Sequence, residues 1–253
     1  MSGPERTGPD AGTGVDLSRR RLLAWSAAIA GTAIAPGVML YEIAWGRPPA
    51  EAASSKVRWG MLVDLNRCPK DCQACVSACD RENGLPAEKT PTSAQWIRKI
   101  ALKDARGRER AIPMMCQHCA DPPCVDVCPT GASFKRADGI VLVDRHTCIG
   151  CRYCMMACPY GARSFVHEPT TAQKPEVPRG KGCVESCTLC VHRIDRDGRP
   201  ACVEACEATG NRALLFGDLN DPNSEIAKRV AGFGGAAVRA DLRLDPGVRY
   251  AGL

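Results

Sequence analysis

The fold is decided by the stretch Cys148-Ile149-Gly150-Cys151-Arg152-Tyr153-Cys154-Met155-Met156-Ala157-Cys158-Pro159. Its four cysteines are separated by two, two and three residues, and a proline follows the last one. Three further groups of four have related spacing: Cys68, Cys72, Cys75 and Cys79; Cys116, Cys119, Cys124 and Cys128; Cys187, Cys190, Cys202 and Cys206. The chain has 17 cysteines, so the four groups leave one over, Cys183.

This spacing favours ligands of [4Fe–4S] clusters over disulfides, zinc or haem. In a C-x2-C-x2-C-x3-C-P run, three thiolates bind one cluster and the fourth binds another, so such groups come in pairs. Disulfides need no repeated spacing, and the two cysteines of a C-x2-C pair bridge poorly. A zinc site would use two distant C-x2-C pairs without a third cysteine nearby. No Cys-x-x-Cys-His occurs, so a c-type haem attachment site is absent from the sequence.

Composition agrees with metal-supported folding and argues against nucleic-acid binding. Hydrophobic residues make up 45% of the 253 residues, but Phe, Tyr and Trp number only four each. A core this poor in aromatic residues predicts that metal centres stabilise the fold. The net charge is +6, and the cysteine region has no run of Lys and Arg interleaved with aromatic residues. The clustered basic and aromatic residues expected of a nucleic-acid-binding site are therefore missing from the cysteine region.

The order of the groups predicts two double-cluster units. Groups two and three are separated by residues 129–147, within which residues 139–144 form a predicted strand. Group four contains a loop, residues 191–201, in which Gly198 and Pro200 predict a turn. We therefore expect an α+β fold of two pseudo-symmetric ferredoxin-like units, the second inserted within the first. The outer unit takes residues 53–112 and 183–225, the inner unit residues 113–182, and residues 226–253 form a C-terminal tail.

The N-terminal residues predict an export signal of the twin-arginine type. Arg19 and Arg20 precede an apolar stretch, rich in Ala and Gly, that reaches Leu40 without a charge. Ala50-Glu51-Ala52 has the small-x-small form of a cleavage site. Residues 22–41 are also long enough to span a bilayer, so an uncleaved anchor is the alternative. Since this route carries folded proteins, residues 1–52 predict a periplasmic protein that receives its cofactors in the cytoplasm.

Several stretches resemble the four-cluster iron–sulfur subunits of the dimethyl-sulfoxide-reductase and Nrf-type families. The similar segments include Cys187-Thr188-Leu189-Cys190, Pro200-Ala201-Cys202-Val203-Glu204-Ala205-Cys206, Asp144-Arg145-His146-Thr147-Cys148 and Gly217-Asp218-Leu219-Asn220-Asp221-Pro222. A closer resemblance is to the periplasmic iron–sulfur subunit of the membrane complex linked to dissimilatory sulfite reductase. It is carried by Trp96-Ile97-Arg98-Lys99, Val184-Glu185-Ser186-Cys187, Asn220-Asp221-Pro222-Asn223-Ser224-Glu225 and Asp245-Pro246-Gly247-Val248-Arg249-Tyr250.

The resemblance implies up to four [4Fe–4S] clusters whose ligands cross between groups. Set A comprises Cys68, Cys72, Cys75 and Cys206. Set B comprises Cys187, Cys190, Cys202 and Cys79. Set C comprises Cys116, Cys119, Cys124 and Cys158. Set D comprises Cys148, Cys151, Cys154 and Cys128.

Two features depart from the family pattern. Pro69-Lys70-Asp71 puts three residues between the first two cysteines of group one, where the family usually has two. The sequence leaves Cys183 open as a spare thiol or an alternative ligand. Among other residues near the groups, we expect His118 to hydrogen-bond rather than bind metal. We expect the methionines beside the ligands to pack against the clusters: Met114, Met115, Met155 and Met156.

We expect an electron-transfer subunit without catalytic activity of its own. The four histidines are scattered, no nucleotide-binding glycine loop occurs, and no nucleophile–base pair or substrate motif is recognisable. The resemblance implies a relay between a polytopic quinone-interacting membrane subunit and a multihaem cytochrome c, in dissimilatory sulfur metabolism. The alternative is the beta subunit of a molybdenum oxidoreductase of the tetrathionate, polysulfide or sulfite type. A redox sensor is less favoured, because one exposed cluster suffices for sensing.

Overall fold

The computed structural model describes residues 53–103, 107, 109–170 and 173–253. The expected signal, residues 1–52, lies outside them. The strands in these ranges are β1 (Trp59–Asp64), β2 (Ile97–Lys103), β3 (Glu109–Met115), β4 (Ser133–Lys135), β5 (Val141–Val143), β6 (Ser164–Phe165), β7 (Val184–Glu185), β8 (Leu214–Asp218) and β9 (Val248–Ala251). The helices are α1 (Ala74–Asn83), α2 (Pro123–Asp126), α3 (Tyr153–Ala157), α4 (Val191–Ile194), α5 (Ala201–Ala208) and α6 (Glu225–Phe233). None of the described helices is long and apolar enough to cross a membrane.

A three-stranded sheet of order β8-β1-β9 joins distant parts of the chain. β1 runs antiparallel to β8 and parallel to β9. Side chains of a strand alternate between two faces, and Met61 and Val63 of β1 enter the main core, which also contains most of the cysteines. Leu62 faces the other way and packs with Ile226 of α6.

The helices that contain or flank the cysteines pack in pairs. α1 packs against α5, so groups one and four meet, and α2 packs against α3, so groups two and three meet. The predicted mixture of helices and strands is confirmed. The predicted strand at residues 139–144 is also confirmed, over the shorter range Val141–Val143. In the loop 191–201, a turn of helix comes first, and the Gly198 N–H then donates to the Arg193 carbonyl at 2.8 Å.

Residues 226–253 fold onto the sheet. Val248 and Tyr250 are fully buried, and the Tyr250 hydroxyl donates to the Pro113 carbonyl at 3.0 Å. This hydrogen bond links β9 to the β2–β3 hairpin, whose first strand carries Lys99. The C-terminal residues are therefore part of the framework around the cysteines.

Candidate metal centres

Three small hollows are each lined by four cysteine side chains. The first is lined by Cys116, Cys119, Cys124 and Cys158. The second is lined by Cys128, Cys148, Cys151 and Cys154. The third is lined by Cys68, Cys72, Cys75 and Cys206. In each hollow, three cysteines of one group meet the last cysteine of another group. The structure thus brings together the members of sets C, D and A.

The members of set B come together in the interior. Cys79, Cys187, Cys190 and Cys202 are all buried. The thiol of Cys79 lies close enough to the other three for their charges to interact. All sixteen grouped cysteines therefore lie beside the partners that the family resemblance implies.

The backbone around the cysteines follows tight left-handed turns. Gly150 has φ +69°, and a Cβ at this position would overlap the carbonyl oxygen of Gly182. Arg152, with φ 66°, precedes α3, and Cys190, with φ 54°, precedes α4. α3 ends at Cys158, whose extended ψ of 110° leads into Pro159 and stops the helix. These turns place the first three thiols of a group around one hollow and the last thiol of that group around another.

Burial raises the pKa of most of these thiols, so without a bound cluster they ionise less readily than a free cysteine does. It raises the pKa of Cys75 to about 11, and that of Cys116 and Cys119 to about 12. Thiolates are the form that binds iron. A cationic iron–sulfur core would stabilise them, and binding it would release protons.

The last cysteine of each group, here called a terminal cysteine, has an N–H donor at its sulfur. The backbone N–H of Ser133 donates to Cys128 Sγ at 3.3 Å, that of Ala162 to Cys158 Sγ at 3.4 Å, and that of Ala213 to Cys206 Sγ at 3.2 Å. Cys79 lies inside α1, where the backbone N–H groups are used by the helix. Its sulfur instead meets the side-chain amide of Asn83, at 3.5 Å.

Lys99 fills the widened loop of group one. Its ammonium donates to the carbonyl oxygens of Pro69, at 2.7 Å, and Cys72, at 3.0 Å. It also lies 3.6 Å from Cys68 Sγ. The extra residue of this loop therefore exposes carbonyl groups that a single cation satisfies.

Arg163 is a buried cation in contact with the thiols of the inner unit. Its side chain donates to Cys124 Sγ at 3.1 Å and to Ser133 Oγ at 2.6 Å. Burial alone would lower the pKa of Arg163, but the charges of Cys124, Cys116 and Cys154 outweigh burial, and the pKa is raised.

The hollows fit a cluster of iron and sulfide. A cubane cluster needs four thiolates around it and N–H donors toward sulfur, and each of the three hollows provides both. Within the described ranges, no three His, Cys, Asp or Glu side chains converge at the distances of a single metal ion. When bound, such a cluster supplies one-electron redox chemistry; the chain supplies its ligands, hydrogen bonds and burial.

The other residues singled out in the sequence have varied outcomes. The expected hydrogen bonding of His118 is confirmed, since its Nδ1 accepts from the Val141 N–H at 3.0 Å. Burial lowers the pKa of His118 to about 3, so the ring is neutral. The prediction for Met156 is wrong, because this side chain is 85% exposed. Cys183 is half-buried beside Cys148, and its thiol donates to the Arg145 carbonyl at 3.3 Å.

Sequence reasoning missed the residues that donate to sulfur from outside the cysteine groups. Lys99 lies 31 residues from Cys68, and Arg163 lies 39 residues from Cys124. A single Lys or Arg has no spacing that marks it. The pairing of β2 with β3, which sets the register of Lys99, is visible only in the structure.

Comparison with known proteins identifies the family. The model of the 4Fe-4S dicluster domain matches residues 109–218. The chain is 44% identical to the Hdr-like menaquinol oxidoreductase iron–sulfur subunit 1 of Archaeoglobus fulgidus, over 94% of this chain and 98% of that protein. It is 38% identical to the B subunit of tetrathionate reductase from Salmonella typhimurium, over 85% and 80% of the two chains. It is also 38% identical to the B subunit of sulfite dehydrogenase from Allochromatium vinosum, over 75% and 81%. The chain belongs to the family of iron–sulfur electron-transfer subunits with a 4Fe–4S dicluster domain, and it binds several [4Fe–4S] clusters.

Proposed function

We propose that this protein relays single electrons along four [4Fe–4S] clusters held by sets A, B, C and D. One observation carries the proposal: thiols of successive sets lie close enough to interact, in the order A, B, C and D. Charge interactions link Cys75 of set A to Cys202 of set B, Cys187 of set B to Cys116 of set C, and Cys124 of set C to Cys154 of set D.

The solvent exposure of the cysteines fits an electron-transfer chain in which the first and last clusters are accessible to partners. All four cysteines of set B are buried, as are three of the four in set C. Set A has the partly exposed Cys68 and Cys72, and set D has Cys151, which alone is exposed among the cysteines, all of which lie in the described ranges. Electron tunnelling weakens steeply with distance, so exchange with partners takes place at the two ends. The buried middle is protected from solvent.

The same arrangement supports the proposal of two double-cluster units. Groups one and four, with helices α1 and α5, supply sets A and B. Groups two and three, with helices α2 and α3, supply sets C and D, and they lie between groups one and four in the sequence. In this organisation the inner unit is inserted within the outer one, and electrons pass between the units from set B to set C.

The partners proposed are a quinone-interacting membrane subunit at one end and a redox subunit such as a multihaem cytochrome c at the other. The name of the Archaeoglobus relative, a menaquinol oxidoreductase component, supports the quinone side. The names of the tetrathionate reductase and sulfite dehydrogenase relatives support a role in sulfur metabolism. Those two relatives also favour the second candidate, the beta subunit of a molybdenum oxidoreductase.

Affinity isolation of the native complex tests this function. Subunit identification should find a polytopic membrane protein and a cytochrome c, and metal analysis should find about 16 iron atoms beyond the haem iron, for the four clusters of this chain. Molybdenum in a one-to-one ratio with the chain would instead establish the second candidate. A chain isolated alone, with iron for one cluster only, would contradict both.

Export of the folded protein by residues 1–52 belongs to the same proposal. Arg19 and Arg20 form the twin-arginine motif, and replacing both with Lys should retain the cluster-loaded protein in the cytoplasm. Cell fractionation with iron analysis measures this directly. Normal export of the double variant would rule out this route.

A further inference from the structure

Arg163 lies between the two cysteine sets of the inner unit. Its guanidinium contacts Cys124 of set C at 3.1 Å. It also interacts with Cys154 of set D. The side chain is only 5% exposed, so solvent does not screen these contacts.

Ser133 completes the link to set D. Its hydroxyl accepts from Arg163 at 2.6 Å, while its backbone N–H donates to Cys128 Sγ at 3.3 Å. Ser133 itself is 2% exposed. The serine thus fixes the guanidinium and contacts a thiol of the second set at the same time.

The charge of Arg163 has no acidic partner in the part of the chain that the structure describes. The ion pairs found there join other Arg and Lys side chains to carboxylates, as Arg136 pairs with Asp138 and Asp195. Burying an unpaired cation is costly, so a nearby anion is required. The thiolates of sets C and D are the anions within reach.

We propose that Arg163 is a positioning residue shared by the clusters of sets C and D, and that it raises the reduction potentials of both. This inference rests on the proposed function, because it uses the ligand sets assigned there. A cluster bound by four thiolates is anionic and becomes more so when it takes up an electron. A fixed cation in a buried site therefore favours the reduced form. No bond forms or breaks, and the electron is supplied by a one-electron carrier of the partner.

Sharing one cation also affects how the two clusters act together. An electron on one cluster repels a second electron on its neighbour, and the attraction of a shared cation for both electrons offsets this repulsion.

Redox titration of the full protein, followed by electron paramagnetic resonance, tests the proposal. Arg163→Gln removes the charge and keeps an amide donor. We expect the oxidised-to-reduced ratio of both inner clusters at a fixed ambient potential to rise about tenfold, equivalent to about 59 mV for a one-electron couple. Arg163→Lys keeps the charge and should recover most of the shift. Signals are assigned with Cys119→Ser for set C and Cys151→Ser for set D.

Lys99→Met is the matched control, because Lys99 contacts only set A. It should shift the set A signal and leave those of sets C and D unchanged. A shift confined to set C after Arg163→Gln would overturn the sharing, and no shift would overturn the whole inference. Should Arg163→Gln lose its iron, Ser133→Ala is measured instead, with Arg163 intact. This variant should lower the reduction potentials of both inner clusters by a smaller amount. Unchanged potentials would refute the inference. These outcomes concern potentials of bound clusters, so they differ from a failure of the relay, which would show as missing clusters or missing partners.

Discussion

Cys79 differs from the other three terminal cysteines in the group that donates to its sulfur. Cys128, Cys158 and Cys206 are followed by turns whose backbone N–H groups are free to donate. α1 continues past Cys79 to Asn83, so its backbone N–H groups are occupied. The Asn83 amide, 1% exposed, therefore takes their place and also donates to the Cys79 carbonyl at 2.9 Å.

Replacing Asn83 with Leu should lower the reduction potential of the set B cluster. The change keeps the side-chain volume and removes the donor to Cys79 Sγ, and hydrogen bonds to sulfur raise the potential of a cluster. It should also reduce the free energy of unfolding by about 0.5–1.5 kcal/mol, since the buried hydrogen bond from the Asn83 amide to the Cys79 carbonyl is lost. Redox titration and denaturant unfolding measure the two effects.

Asn211 provides the control for this prediction. Its amide lies 3.8 Å from Cys72 Sγ, at the partly exposed set A. Asn211→Leu should move only the set A potential, and by less, because water competes for the sulfur there. An unchanged set B potential in Asn83→Leu would show that this amide contributes only to folding.

At the scale of elements, the loop of group three depends on close packing against the segment around Gly182. Gly150 and Gly131 have the same φ of +69°, but their surroundings differ. A Cβ at Gly150 would overlap the Gly182 carbonyl and lie 3.1 Å from the Phe165 ring, whereas nothing lies within 4 Å of a Cβ at Gly131. Alanine substitutions at the two positions can therefore separate the effect of backbone strain from the effect of steric overlap.

Gly150→Ala should displace the loop and reduce the iron bound by set D. Left-handed backbone alone costs about 1–2 kcal/mol for a residue with a side chain, and both variants bear that cost. Only Gly150→Ala adds the overlap with Gly182. We expect Gly131→Ala to keep its full iron content and lose about 1 kcal/mol of unfolding free energy. Iron analysis and thermal unfolding compare them, and equal iron content in the two variants would contradict the role of the overlap.

The elements also show which parts of the structure the sequence could predict. The regular spacing predicted the cysteine groups, and the short apolar run after the turn at Gly139 predicted β5, because both signals are local in the sequence. The donors Lys99 and Arg163 reach thiols 31 and 39 residues away through tertiary packing, which no local pattern specifies. Helix α6 and strand β9, which complete the sheet, lie beyond the cysteine groups. Their roles depend on the register of pairing, such as Met61 beside Val248, which no local pattern specifies.

At the scale of the whole molecule, the cysteines replace an aromatic core. The main buried cluster contains most of the grouped cysteines together with Met61, Trp96 and Tyr250. Three hollows interrupt it at sets A, C and D. Filling those hollows restores contacts that a continuous core would have, so cluster binding and folding are coupled. The same placement puts the redox centres where solvent is excluded.

The crossing of ligands between groups gives a prediction for the molecule as a whole. Cys124 and Cys128 belong to the same group, but they line different hollows. Cys128→Ser should therefore damage the set D cluster, whose other ligands lie 20 or more residues downstream, at Cys148, Cys151 and Cys154. Cys124→Ser should damage the set C cluster instead.

Paramagnetic resonance of the reduced variants tests this by comparison. Cys119→Ser marks the signal of set C, and Cys151→Ser marks that of set D. Cys128→Ser should match Cys151→Ser, and Cys158→Ser, from group three, should match Cys119→Ser. A Cys128→Ser spectrum that matches Cys119→Ser would mean that each group holds its own cluster. Sets C and D would then be replaced by groups two and three, although the charge interaction between Cys124 and Cys154 would still join two different clusters.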